Sequence, residues 1–95
     1  MLTGKQRAYL RSMANTINPI IQVGKGGISE NLIKQIDEAL EARELVKITV
    51  LENSPSEVRE AGEKITSRVD AEIVQVIGKK FTIYRKSKEP VIILP

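Results

Sequence analysis

Hydrophobic positions fall in helical spacing in three stretches of the chain and alternate or run together in four others. Thr3 opens the first helix, with Gln6 three residues on as a capping-box partner. Tyr9, Leu10, Met13 and Ala14 share one side of it, and Arg7 and Arg11 share another. Asn15 and Asn18-Pro19 end it. Residues 19–23 form a short apolar strand that leads into Gly24-Lys25-Gly26-Gly27. Ser29 follows as an N-cap, and Ile28 and Ile33 stand at the two positions of a hydrophobic staple. The second helix turns Leu32, Ile33, Ile36, Ala39 and Leu40 inward and Asp37, Glu38 and Glu41 outward.

Residues 45–51 are β-branched and alternating, a second strand. Ser54-Pro55-Ser56-Glu57 combines an N-cap, proline at the first helical position and glutamate at the third. The helix it predicts faces inward with Val58, Ala61, Gly62, Ile65 and Val69, and Gly62 there implies close packing against a neighbour. Residues 71–77 and 81–85 pair as an antiparallel hairpin across Gly78-Lys79-Lys80. The apolar tail, residues 90–95, is expected to dock on the sheet as an edge strand, with partner binding as the alternative. The order is αβαβαββ: an α/β fold with a mixed four-stranded sheet and three helices, in one domain over residues 1–95. The pattern leaves the strand order open.

Composition narrows the chemistry. The chain has no cysteine and no histidine, so disulfides, thiolate metal sites and the usual nucleophile–base pairs are excluded, and no cofactor or metal is expected. No apolar run spans a membrane, and residues 1–7 lack the apolar stretch of a secretory signal, so the expected location is cytoplasmic. The net charge of +3 is segregated: residues 1–27 carry +4, residues 28–72 carry −5 and residues 73–95 carry +4. Two basic ends brought together by the fold form the footprint of a polyanion partner.

The glycine loop sharpens that reading. Glycines between a strand and a helix start let a ligand approach the backbone, and the free N–H groups of the helix attract anions. Neither the Walker loop nor the dinucleotide fingerprint is present; the third position of the latter is Ser29. A G-x-x-G loop remains, the form that clamps a nucleic-acid backbone in KH domains. Taken by itself it is more often plain turn chemistry. Together with Lys5, Arg7 and Arg11 on the first helix, Lys25 on the loop, and Lys79, Lys80, Arg85 and Lys86 around the hairpin, it predicts one surface for a polyanion, gripped through its phosphates. Tyr9, Phe81 and Tyr84 are the whole aromatic complement, and Tyr9 and Phe81 are expected in the core, which disfavours base stacking on the sheet.

Residues 3–7 (Thr-Gly-Lys-Gln-Arg), 21–27 (Ile-Gln-Val-Gly-Lys-Gly-Gly), 44–48 (Glu-Leu-Val-Lys-Ile), 74–79 (Val-Gln-Val-Ile-Gly-Lys) and 81–85 (Phe-Thr-Ile-Tyr-Arg) resemble the CRM domain, named for chloroplast RNA splicing and ribosome maturation. The resemblance is greatest to the bacterial stand-alone versions, the YhbY family, and covers nearly the whole chain. It implies a fold similar to the C-terminal domain of translation initiation factor three. It also implies RNA binding through Gly24, Lys25, Gly26 and Gly27, ribosomal RNA in large-subunit precursors as the partner, with ribosomal proteins as further contacts, and a role in ribosome assembly without enzymatic activity.

Three other readings compete. A duplex-DNA module is opposed by the strands that separate all three helices. A small enzyme that grips a nucleotide phosphate on the loop has only carboxylates, lysines, tyrosines and hydroxyls for its chemistry. A protein-interaction module would use the acidic helix faces or the apolar tail.

Overall fold

The structure, a computed structural model, describes residues 2–95. The elements are α1 (Gly4–Ala14), β1 (Ile21–Val23), α2 (Glu30–Arg43), β2 (Leu45–Val50), α3 (Val58–Val69), β3 (Glu72–Ile77) and β4 (Lys80–Tyr84). The sheet order is β1-β2-β4-β3, with β1 parallel to β2 and both other pairs antiparallel. Thr3 and Gln6 form the expected capping box, and Ser29 accepts from the Leu32 N–H.

The alternation of the strands assigns the layers. Val23, Val46, Ile48, Val50, Phe81 and Ile83 point to one face, where α2 (Ile33, Ile36, Leu40) and α3 (Ala61, Ile65, Val69) close the main core. Leu45, Val74 and Tyr84 point to the other face, under Leu10 of α1 and Ile92 and Leu94 of the tail. Tyr9 is 41% exposed and outside both clusters, contrary to expectation. The helix reaches the sheet through Leu10 and Ala14, four apart on one stripe, which leaves Tyr9 turned off it.

Gly62 is buried where α3 crosses the sheet, and a Cβ built there would stand 3.3 Å from Ile73 Cδ1 and 3.6 Å from Phe81 Cδ2. Gly62→Val should therefore overpack the core and lower stability by about 1–3 kcal/mol, read by thermal unfolding. A melting temperature at or above the wild-type value would remove the close-packing account of this glycine.

Two expectations change. The third helix begins at Val58, not Pro55, and its N-cap Glu57 makes no side-chain capping bond. Ser54 instead closes on Ser56: its hydroxyl accepts from the Ser56 N–H at 3.2 Å and donates to the Ser56 carbonyl at 2.8 Å. Pro55 is thereby held against Gly27, where a Cβ would stand 3.0 Å from Pro55 Cγ. The segment braces the glycine loop rather than starting a helix. The tail docks, but not as a strand. Its Val91 and Ile92 N–H groups donate to Glu44 Oε1, at 2.8 and 2.7 Å.

Candidate nucleic-acid interface

Strand direction decides where the basic residues go. Val23 pairs with Val50, and Lys80 pairs with both Thr49 and Ile77. The loop after β1, the loop after β2 and the β3–β4 turn therefore share one end of the sheet. Two backbone bonds tie them: Leu51 N–H to Val23 O at 2.8 Å, and Val50 N–H to Lys79 O at 2.7 Å. Leu45, Glu72 and Tyr84 line up at the opposite end.

The glycine loop is a tight turn with Lys25 and Gly26 at its corners, closed by the Gly27 N–H on the Gly24 carbonyl at 3.0 Å. Lys25 and Gly26 are exposed, and nothing lies within 4 Å of a Cβ built on Gly26. Gly27 takes φ +67, a region that favours glycine, and so delivers the chain into α2. Among the described residues Lys25 is in no ion pair. The loop thus presents an uncommitted ammonium and a bare turn beside a helix N-terminus, an arrangement suited to a phosphate.

Beside the loop, a cleft of about 520 Å³ is lined by Gly26, Gly27, Pro55, Lys64 and Arg68, among others. Arg68 donates two bonds to Glu30, at 2.7 and 2.9 Å, and these bonds with its charge hold the Glu30 carboxyl below its ordinary pKa. The carboxylate in the first turn of α2 is thereby matched by a guanidinium. Lys64 is a cation at this cleft that the charge pattern does not reveal, because it lies in the segment that sums to −5. Lys79 pairs with Glu52 at 2.8 Å, and that bond and charge lower the Glu52 pKa.

The expected basic set is divided. Gly24, Lys25, Gly26, Gly27, Lys79 and Lys80 gather at the loop end. Arg85 and Lys86 follow β4 at the far end. Arg85 is only 19% exposed there; it lies 2.6 Å from Asp37 Oδ1 and 3.5 Å from Glu41 Oε1, and donates to the Val69 carbonyl at 2.9 Å. Arg85 and the outward-facing Asp37 and Glu41 of α2 are thus one cluster that joins β4 to α2 and α3. Lys5, Arg7 and Arg11 stand on α1, across the sheet from α2 and α3. Arg7 donates to the Ile73 carbonyl at 2.6 Å and lies 3.8 Å from Glu72, which clips α1 to β3.

One buried acid has no counterpart in the sequence reading. Glu44 caps α2 with φ 66 and is fully buried. Its carboxylate accepts from the N–H groups of Ser87, Val91 and Ile92 and from the Ser87 hydroxyl. Burial works to raise its pKa, but the Ser87, Ile92 and Val91 amides and the hydroxyl outweigh it and hold the carboxyl below its ordinary value. Burial, with the Glu44 charge, pushes the Tyr84 phenol up.

The model of the CRS1/YhbY (CRM) domain family matches residues 2–85. The chain belongs to this family. Over 89 residues it is 49% identical to a probable RNA-binding protein, YqeI, of Bacillus subtilis, covering 94% of this chain and 93% of that one. Over 94 residues it is 32% identical to an RNA-binding protein of Haemophilus influenzae, covering 99% and 95%. The solution structure of the hypothetical protein SAV1595 from Staphylococcus aureus, for which RNA binding is proposed, superposes with a TM-score of 0.82 at 55% identity, each chain covered in full. The family match ends at Arg85, so residues 86–95, which include the segment held by Glu44, lie beyond the matched residues.

Proposed function

We propose that this CRM protein binds RNA through the turn at residues 24–27, and that its target is ribosomal RNA in precursors of the large subunit, where it assists assembly as a binding protein rather than an enzyme. The observation that carries the reading is the exposed Gly24-Lys25-Gly26-Gly27 turn with its unpaired lysine at the start of α2. The relatives named as RNA-binding proteins support the polymer class. The ribosomal target rests on the family resemblance. A phosphate of the RNA backbone sits on the turn, and neighbouring cations hold the adjoining phosphates.

Gly26→Asp tests this directly. Gly26 has no positive φ and its Cβ position is open, so the fold accommodates the aspartate. Its carboxylate then meets the incoming phosphate. RNA affinity should fall with the melting temperature unchanged. With about five phosphate contacts, the wild-type log–log salt slope should be near −3.5 on a single strand. An affinity flat in salt, or a Gly26→Asp protein that binds RNA like wild type, would remove the loop from the binding surface.

A further inference from the structure

On the sheet face opposite α2 and α3, α1 and the tail cover only the end that carries Leu45, Val74 and Tyr84. Over the half nearer the glycine loop, among the described residues, α1 reaches only the border, where its C-cap Asn15 accepts through Oδ1 from the Gln75 side-chain amide at 3.4 Å. Two cross-strand rows make up this half. Gln22, Thr49, Lys80 and Ile77 are register partners across all four strands. Lys47, Thr82 and Gln75 are register partners across β2, β4 and β3. The first row begins at Gln22, two residues before Gly24, so this half-face adjoins the loop.

The chemistry of these rows is one-sided. They contain two lysines, two threonines and two glutamines, and no acid. Neither Lys47 nor Lys80 is in an ion pair among the described residues. The carboxylates bordering the face are taken: Glu52 by Lys79, and Glu72 by Arg7 and the Leu2 N–H. Lys47 stands opposite Thr82 and Lys80 opposite Thr49, so the lysines are diagonal neighbours with backbones about 7–8 Å apart. Their stems flank a shallow depression of about 180 Å³ with Thr82 at its floor.

We propose that this half-face is a second phosphate-binding surface, on which an RNA chain seated at the glycine loop continues across the sheet, with Lys47 and Lys80 each holding a backbone phosphate. The inference rests on the reading of RNA binding at the loop and extends it to a track. With no aromatic in either row, the track grips backbone and reads no base by stacking. Ile77, 61% exposed at the end of the first row, is the apolar contact beside it.

The test uses the full chain and a large-subunit ribosomal RNA transcript, with affinity measured across salt. Lys47→Gln with Lys80→Gln should lower affinity at low salt and flatten the slope by about 1.4, so a fourfold rise in salt narrows the gap to wild type by about sevenfold. A matched loss of two charges elsewhere, Lys34→Gln with Lys88→Gln, should leave the slope nearly unchanged. Both proteins are checked for wild-type melting. A sheet variant whose slope matches the control overturns the proposal. So does an Ile77→Glu or double-glutamine variant that changes the oligomeric state and not the slope, which would make the face a contact between copies. Loss of binding in Gly26→Asp with a wild-type slope in the sheet variant leaves the loop standing and removes the track. The reverse pattern removes the loop and leaves the track.

Discussion

Replacing Glu44 with leucine is expected to free residues 87–95 while the sheet and helices stay folded. The substitution leaves the Ser87, Val91 and Ile92 N–H groups without their acceptor. The buried Ser87 donor kept unpaired would cost about 1–3 kcal/mol, and the part-buried Val91 and Ile92 donors somewhat less each. Undocking the tail gives up the half-buried Ile92 and Leu94, about 1 kcal/mol each at half burial. Undocking is the cheaper response, so the loss of stability should stop near 2–3 kcal/mol. Hydrogen exchange at the Val91 and Ile92 amides reads it: their protection should vanish, while that of β2 and β4 persists. Glu44→Gly separates clamp from backbone, because it relieves the left-handed φ yet removes the same carboxylate, and it too should release the tail. Acid should act the same way. The folded carboxyl lies below its ordinary 4.5, so its stabilisation is complete above that value and is lost as pH falls through the lower, folded one. Amides at 91 and 92 that stay protected in Glu44→Leu would show that apolar contact alone holds the tail.

Reversing the charge of Lys25 should produce the largest loss of RNA binding from one exposed side chain. The lysine has no carboxylate partner among the described residues, so Lys25→Glu disrupts no ion pair within the protein. A glutamate just before a helix start also suits the dipole, and the melting temperature should hold. Toward a phosphate at about 4 Å, the change replaces one attraction with one repulsion, on the order of tenfold to thirtyfold in affinity at low salt. The deficit should shrink as salt rises, since both contributions are screened. Wild-type affinity in a folded Lys25→Glu protein would reduce the loop to turn chemistry.

Local signals carried most of the fold and none of the long-range placement. The Thr3–Gln6 box and the Ser29 cap are contacts within one helical turn, and both form as the sequence implies. Ser54-Pro55-Ser56-Glu57 carries the same kind of signal, but Pro55 is needed against Gly27, and that tertiary contact moves the helix start to Val58. The turn 24–27 was legible because strand, glycines and cap are contiguous. The spread of the remaining cations was not. Arg85 sits next to Lys79 and Lys80 in a tally of charge, yet β4 carries it the length of the sheet to Asp37. Lys47 reads in the chain as one solvated position on a strand. Only the register with Lys80 shows it to be half of a pair. Glu44 looks like one more acid on an acidic helix, and its burial depends on amides more than forty residues away.

The Gln6 side chain donates to the Pro95 carbonyl at 3.2 Å, and the Leu2 N–H bonds Glu72 at 3.1 Å. The chain is therefore entered and left at one pole, beside Leu45, Glu72 and Tyr84, while the glycine turn crowns the other. A bead threaded at a single pole can be strung with others on linkers without any copy burying its crown. Two copies of the present chain joined tail to head would carry two such crowns, with a reach along one RNA set by the spacer between them.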